Sequence, residues 1–100
     1  MVKVVKTDAD TYTVHIEGDL DEANSEPLRK ELDKLIAVRP AQIVFDMSGL
    51  EFMNSTGVGV LLSRYKKAAV NDTEFWVKNL SKQAEKLFRV SGLFRIIKQA

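Results

Sequence analysis

The sequence has no cysteine and only one histidine. The absence of cysteine excludes a disulfide framework, a thiolate nucleophile and a zinc site with sulfur ligands, and a single histidine excludes a metal site built from several histidines. No apolar run approaches the roughly 20 residues needed to span a bilayer, and the first residues do not form a signal peptide. These absences predict a cytoplasmic protein that does not associate with a membrane. We also expect no bound metal.

An excess of charge of one sign is also missing. Fifteen Lys and Arg residues are balanced by 14 Asp and Glu residues, which leaves a formal net charge of +1. A nucleic-acid-binding domain of this size usually has a larger and clustered basic excess. We therefore expect no direct contact with nucleic acid.

What the sequence contains is typical of a globular protein. Its 100 residues are 45% hydrophobic and 29% charged, which is too apolar for a disordered chain. A chain of this length has room for only one hydrophobic core. The sequence therefore predicts a single domain over residues 1–100.

Hydrophobic periodicity predicts the first three elements. Residues 2–6 are β-branched and bounded by lysine, which is typical of a strand at the edge of a sheet. Residues 12–17 alternate between apolar and polar and predict a second strand, which ends at Gly18 and forms a hairpin with the first. Between positions 24 and 38 the apolar residues recur at helical spacing, with Pro27 in the first turn, so this segment is predicted as a helix.

The rest of the chain alternates between strands and helices. The apolar run Ile43–Phe45 predicts a third strand, covered on both faces of the sheet. Residues 47–55 are predicted as a loop, and a second helix follows to about Ala69. The remaining elements are predicted as a strand over residues 74–77, a helix between Ser81 and Gly92, and a strand over residues 93–97. The order ββαβαβαβ indicates an α/β domain with a mixed, mostly parallel sheet of about five strands.

Residues 46–61 depart from ordinary core and surface patterning. They follow a buried strand and open a helix, so they lie at the sheet edge where functional loops collect. Ser55 and Thr56 fall at the cap and first turn of that helix, where backbone N–H groups have no partner within the helix. Gly57 and Gly59 follow, although each costs about 1 kcal/mol of helix propensity. Their benefit must be the close approach of another group or another chain.

This segment resembles the signature of STAS domains, and specifically of bacterial anti-sigma factor antagonists. The resemblance extends to both sides of the segment and covers nearly the whole chain in the family's order and spacing. The matching motifs are GDLD at 18–21, DMSGL at 46–50, FMNSTGVGVL at 52–61, RYK at 64–66 and LFRVSGLF at 87–94. We therefore expect a STAS fold.

The resemblance implies a regulatory protein without a cofactor rather than an enzyme. In the family, the serine in the position of Ser55 is phosphorylated by an anti-sigma factor that is itself a serine kinase, and Thr56 is a second possible acceptor here. The unphosphorylated antagonist binds the anti-sigma factor and so releases a sigma factor, and a PP2C-type phosphatase reverses the modification. The chain is then a phosphorylation-controlled switch in transcription.

The partner-binding surface is expected around the acceptor and in the turn before the first helix. Phosphoserine adds about −1.5 to −2 charges, which a helix N-terminus can accept but an apolar partner interface cannot. The expected contact residues are Asp21, Asn24, Met53, Asn54, Ser55, Thr56, Gly57 and Val58.

Three other interpretations stay open. Relatives often have an acidic residue where this chain has Asn54, so the first is a STAS scaffold or sensor subunit without a phosphorylation cycle. The second is a small nucleotide-binding or hydrolytic domain that uses Gly57 and Gly59, although these residues complete neither a G-x-G-x-x-G nor a Walker motif. The third is purely structural, with Ser55 as a helix N-cap and the glycines allowing close packing.

Overall fold

The computed structural model describes residues 1–100 and contains five strands, three α-helices and one 3₁₀ turn. In chain order the elements are β1 (Val2–Asp8), β2 (Thr11–Leu20), α1 (Glu26–Ala37), β3 (Gln42–Met53), α2 (Ser55–Val70), β4 (Glu74–Lys78), α3 (Lys82–Ser91), the 3₁₀ turn (Leu93–Arg95) and β5 (Ile97–Gln99). The predicted order ββαβαβαβ is confirmed. None of the helices is long and apolar enough to cross a membrane.

The strands form one mixed sheet in the order β1-β2-β3-β4-β5. β1 lies at one edge and pairs antiparallel with β2, which confirms the predicted hairpin, and the other neighbouring pairs are parallel. A helix connects each parallel pair. Because such crossovers are right-handed and the strand order follows the chain, α1, α2 and α3 cover the same face of the sheet.

The hydrophobic core lies between the helices and this face of the sheet. It is one cluster of 21 buried residues. Within it, Phe45 and Phe75 form an edge-to-face pair with ring centroids 5.0 Å apart, an arrangement that adds about 0.5–1.5 kcal/mol beyond the burial of the rings. Leu32 of α1, Leu61 of α2 and Phe88 of α3 are fully buried in the same cluster. The core thereby fixes the start of α2 relative to the ends of β2 and β3.

Strand β3 is longer than the sequence predicts. A loop is predicted from Met47, but β3 continues to Met53, so that prediction is wrong. The pairing register with β2 shifts twice, and each shift inserts one extra residue into β3 as a β-bulge. Buried residues therefore recur at every third position, at Met47, Leu50 and Met53. A strand is recognised in a sequence by apolar residues at every second position. The bulges break that pattern, so the sequence does not predict this part of β3 as a strand.

Other boundaries differ less. β2 does not end at Gly18 but continues to Leu20, and Gly18 adopts a positive φ of 81° next to the second register shift. Most of the predicted last strand is the 3₁₀ turn, and β5 begins only at Ile97. As predicted, α3 lies between Ser81 and Gly92. Ser81 is its N-cap, and Gly92 ends it in the left-handed conformation.

The opposite face of the sheet carries no helix, so the prediction that both faces are covered is wrong. Val44 is only half-buried there. Asp46, on the same face, accepts hydrogen bonds from Asn79 Nδ2 and the Ser48 N–H, both at 3.0 Å, and lies 3.3 Å from His15 Nδ1. Burial alone raises the pKa of Asp46, but these hydrogen bonds and the histidine outweigh it and hold the pKa below its usual value.

Asp46 is expected to make the fold sensitive to acid. A carboxyl group with a lowered pKa stabilises the fold above its unfolded pKa, about 4, and that contribution is lost as the pH falls through the folded pKa. In urea denaturation at neutral pH, Asp46→Asn should be about 1–3 kcal/mol less stable than the wild type. The difference should shrink below about pH 3. A difference that stays constant into strong acid would exclude the charge of Asp46 as its cause, and Asp10→Asn, at an exposed carboxylate, is the control.

Candidate functional site

Helix α2 begins at Ser55, directly after β3, and Asn54 is its N-cap. Asn54 has an extended backbone with φ −123°, and its Oδ1 accepts a hydrogen bond from the Thr56 N–H at 3.0 Å. The sequence places Ser55 at the cap, and the structure moves the cap back by one residue. Because Asn54 supplies the capping oxygen, the Ser55 hydroxyl is not needed for it.

Ser55 is exposed in the first turn of α2, and its hydroxyl forms no hydrogen bond within the protein. Backbone N–H groups without a helical partner and the positive end of the helix dipole lie at this position. The fold would therefore stabilise an anion attached to Ser55. This geometry suits a serine that gains a phosphate.

Thr56 differs from Ser55 because its hydroxyl is already hydrogen-bonded. Thr56 Oγ1 donates to Glu22 Oε1 at 2.8 Å, and the Asn54 side-chain amide donates to the same oxygen at 2.9 Å. Hydrogen bonds from its own backbone N–H, from Thr56 and from Asn54 lower the pKa of Glu22, so this side chain is an anion at neutral pH. Sequence reasoning gives Glu22 no role, because its contact with Thr56 spans 34 positions of the chain.

The loop between β2 and α1 lies beside the start of α2, since parallel strands end at the same edge of the sheet. Asp21 Oδ1 accepts hydrogen bonds from the Ala23 and Asn24 N–H groups, both at 3.1 Å, and from Asn24 Nδ2 at 2.9 Å. Asp21 is half-buried and holds the loop in shape, whereas Asn24 is exposed. The structure thus brings this loop and the start of α2 to one surface.

Met53 is not part of that surface. Its side chain is 1% exposed and belongs to the core, so its expected place in a contact patch is wrong. The second bulge of β3 precedes it, and Phe52 is 44% exposed instead. When this stretch is taken for a loop, the sequence does not show which of the two neighbours points outward. Recognition of the bulged strand would have provided that signal.

The two glycines of α2 have different surroundings. A Cβ on Gly57 would lie 2.9 Å from Leu20 Cγ and 3.0 Å from Leu20 O, whereas a Cβ on Gly59 would meet nothing within 4 Å. Gly57 is buried, and its role is to let α2 approach the end of β2, so its expected place on the contact surface is wrong. Val58 is half-buried against the core. Gly59 lies one helical turn from Ser55, on the same exposed face.

Comparison with known proteins gives the family. The sequence profile of the STAS domain matches residues 2–100. The chain belongs to the STAS domain family. This STAS domain is 35% identical over 85 residues to an anti-sigma F factor antagonist of Paenibacillus polymyxa, with 84% of this chain and 73% of that protein covered. It is 30% identical over 93 residues to the anti-sigma-B factor antagonist of Bacillus subtilis, with 93% of this chain and 84% of that protein covered.

Solved structures have the same fold. The anti-sigma factor antagonist SpoIIAA in its unphosphorylated form matches this STAS domain with a TM-score of 0.81 at 25% identity, covering 100% of this chain and 88% of that one. The phosphorylated form of Bacillus SpoIIAA matches with a TM-score of 0.76 at 26% identity, covering 100% and 91%. These matches confirm the predicted STAS fold and the resemblance to anti-sigma factor antagonists.

Proposed function

We propose that this STAS domain, formed by residues 1–100, is an anti-sigma factor antagonist controlled by phosphorylation of Ser55. The unphosphorylated form binds an anti-sigma factor and so releases a sigma factor, and phosphorylation ends the binding. The observation that carries the proposal is the exposed Ser55 hydroxyl, without a hydrogen bond, at the N-terminus of a helix that Asn54 caps. Relatives named as anti-sigma factor antagonists support it, as does SpoIIAA, which is known in unphosphorylated and phosphorylated forms.

The anti-sigma factor acts as the serine kinase in this proposal. Ser55 Oγ attacks the γ-phosphorus of ATP, and the new O–P bond forms as the bond to the β–γ bridging oxygen breaks. ADP leaves, and the hydroxyl proton passes to a base on the kinase. The STAS domain supplies the acceptor and no catalytic group, so it is a substrate and not an enzyme. A PP2C-type phosphatase, also in the cytoplasm, removes the phosphate and restores binding.

We choose the residues of the surface that meets the anti-sigma factor by the solvent exposure of their side chains. Of the contact residues expected from the sequence, Met53 and Gly57 are buried, and we leave them out of the proposed surface. The proposed surface consists of Asp21, Asn24, Phe52, Asn54, Ser55, Thr56 and Val58. Phe52 is the aromatic side chain in this set and is 44% exposed, and aromatic residues are enriched at protein–protein interfaces.

A phosphate on Ser55 changes this surface more than it changes the fold. In the free domain the helix dipole stabilises the added charge. In the complex the same charge would have to lose its water against a partner fitted to a hydroxyl, which is costly. Glu22 already places one negative charge near the start of α2. The phosphate therefore makes this part of the surface more negative. The domain therefore tolerates the modification while its partner does not.

Incubation with ATP and the anti-sigma factor captured from the source cell should add one phosphate, mapped to Ser55 by peptide fragmentation. The Ser55→Ala protein should stay unmodified. Its melting temperature should stay within about 4 °C of the wild type, because Asn54 keeps the helix cap and exposed substitutions change stability by about 0.5 kcal/mol or less.

Ser63→Ala is the matched control in the same helix, because the Ser63 hydroxyl is occupied by a hydrogen bond to Val60 O at 3.1 Å. It should be phosphorylated like the wild type. Phosphate on Thr56, Ser63 or Ser81 instead of Ser55 would contradict the assignment of Ser55. A stable complex that forms with no phosphate added would favour the scaffold interpretation, and nucleotide retained by this domain would favour the nucleotide-binding one.

A further inference from the structure

The start of α2 presents two adjacent hydroxyls, and one carboxylate distinguishes them. Ser55 is exposed with a free hydroxyl, whereas Thr56 is half-buried and donates its hydroxyl proton to Glu22 Oε1 at 2.8 Å. We propose that Glu22 directs phosphorylation to Ser55 by holding the Thr56 hydroxyl. This inference rests on the proposed function, since it concerns which of the two residues the kinase modifies.

The hydrogen bond removes Thr56 from competition for a chemical reason. An acceptor hydroxyl must turn its oxygen towards the incoming phosphorus and give its proton to a base of the kinase. Thr56 can do so only after it breaks a hydrogen bond to an ionised carboxylate, a bond about twice as strong as one between neutral groups. The Ser55 hydroxyl is free to rotate and has no such bond to break.

Glu22 does not activate Thr56 for attack. Its Oε1 already accepts a hydrogen bond from Asn54 Nδ2 at 2.9 Å besides the one from Thr56. Together with the hydrogen bond of its own backbone N–H, these bonds lower the pKa of Glu22, so it is a weaker proton acceptor than a free carboxylate. Glu22 is therefore a positioning residue for the choice of acceptor.

The Glu22 carboxylate is held in place from two sides. Asn54 Nδ2 donates to the same Oε1 at 2.9 Å, while Asn54 Oδ1 accepts from the Thr56 N–H at 3.0 Å. On the other side, Asp21 braces the loop that carries Glu22 through its hydrogen bonds to Ala23 and Asn24. Asn54 thus both caps α2 and orients the carboxylate towards Thr56.

Replacement of Glu22 should move part of the phosphate to Thr56. With the captured kinase and ATP, the share of phosphate on Thr56, measured by fragmentation mass spectrometry, should rise at least about tenfold in Glu22→Ala over the wild type. Glu22→Gln retains a carbonyl oxygen that accepts hydrogen bonds and should return most of the phosphate to Ser55. The double variant Glu22→Ala, Thr56→Val should carry phosphate on Ser55 alone. A share on Thr56 that is the same in Glu22→Ala and in the wild type would overturn the proposal, because only a change in acceptor choice moves the phosphate.

A second measurement needs no kinase and separates this inference from the proposed function. In NMR spectra of the wild type, the Thr56 hydroxyl proton should exchange with water at least about tenfold more slowly than the Ser55 hydroxyl proton, because only Thr56 is hydrogen-bonded to a carboxylate. Equal exchange rates in the wild type would overturn the role of Glu22, even if Glu22→Ala failed to fold. A kinase that never modifies Ser55 would overturn the proposed function and leave slow exchange at Thr56 as support for the contact.

Discussion

Ser55→Asp should weaken binding of the anti-sigma factor by roughly 30- to 1,000-fold, a loss of about 2–4 kcal/mol, without destabilising the domain. In the complex the new carboxylate must be desolvated against a partner fitted to a neutral hydroxyl, and an unpaired buried charge costs several kcal/mol. In the free domain the same carboxylate lies in the first turn of α2, where the helix dipole stabilises an anion by about 0.3–1 kcal/mol. Titration calorimetry measures the first effect and thermal melting the second.

Ser55→Asn is the matched control, because Asn has nearly the shape of Asp and no charge. It should bind the anti-sigma factor within roughly tenfold of the wild type, which would assign the larger loss in Ser55→Asp to charge. Equal losses in the two variants would show that size and not charge prevents binding. Lost affinity together with a lowered melting temperature would show that the substitution acts through the fold.

Regular elements of this fold are predictable from the sequence, and irregular ones are not. The alternation of Tyr12, Val14 and Ile16 predicts β2, and the strand is there. The part of β3 beyond Phe45 is not predicted from the sequence. Two bulges there replace the usual burial of every second side chain by burial of every third. The segment after Gly92 is short and apolar, and such a run fits a turn or a strand equally well.

In the candidate site, too, the sequence predicts some features and not others. The order of motifs and the start of a helix single out Ser55, but Asn54 and Ser55 both carry oxygens that can cap a helix, so the sequence cannot place the cap. The role of Glu22 cannot be predicted from the sequence, because its hydrogen-bond partners lie more than 30 positions away in the chain. Such a contact depends on β2 and β3 ending side by side, which only the three-dimensional arrangement shows.

Gly57→Arg should destabilise the domain by about 3 kcal/mol or more, whereas Gly59→Arg should stabilise it slightly. A side chain on Gly57 would begin 2.9 Å from Leu20 Cγ and 3.0 Å from the Leu20 carbonyl oxygen, so α2 and the end of β2 must separate. Overpacking typically costs about 1–3 kcal/mol, and placing a guanidinium in a buried position adds to it. Gly59 is exposed with open space around its Cα, and Arg has a helix propensity better than that of Gly by roughly 0.5–1 kcal/mol.

Thermal and urea denaturation of the two variants compares the same substitution two positions apart on one helix. For a domain of this size, a loss of about 3 kcal/mol lowers the melting temperature by roughly 12–24 °C, and the gain at Gly59 raises it by a few degrees. Binding of the anti-sigma factor by Gly57→Arg is then interpretable only at temperatures where the variant is folded. If Gly57→Arg melted like the wild type, the close packing of α2 on Leu20 would not require a glycine at position 57.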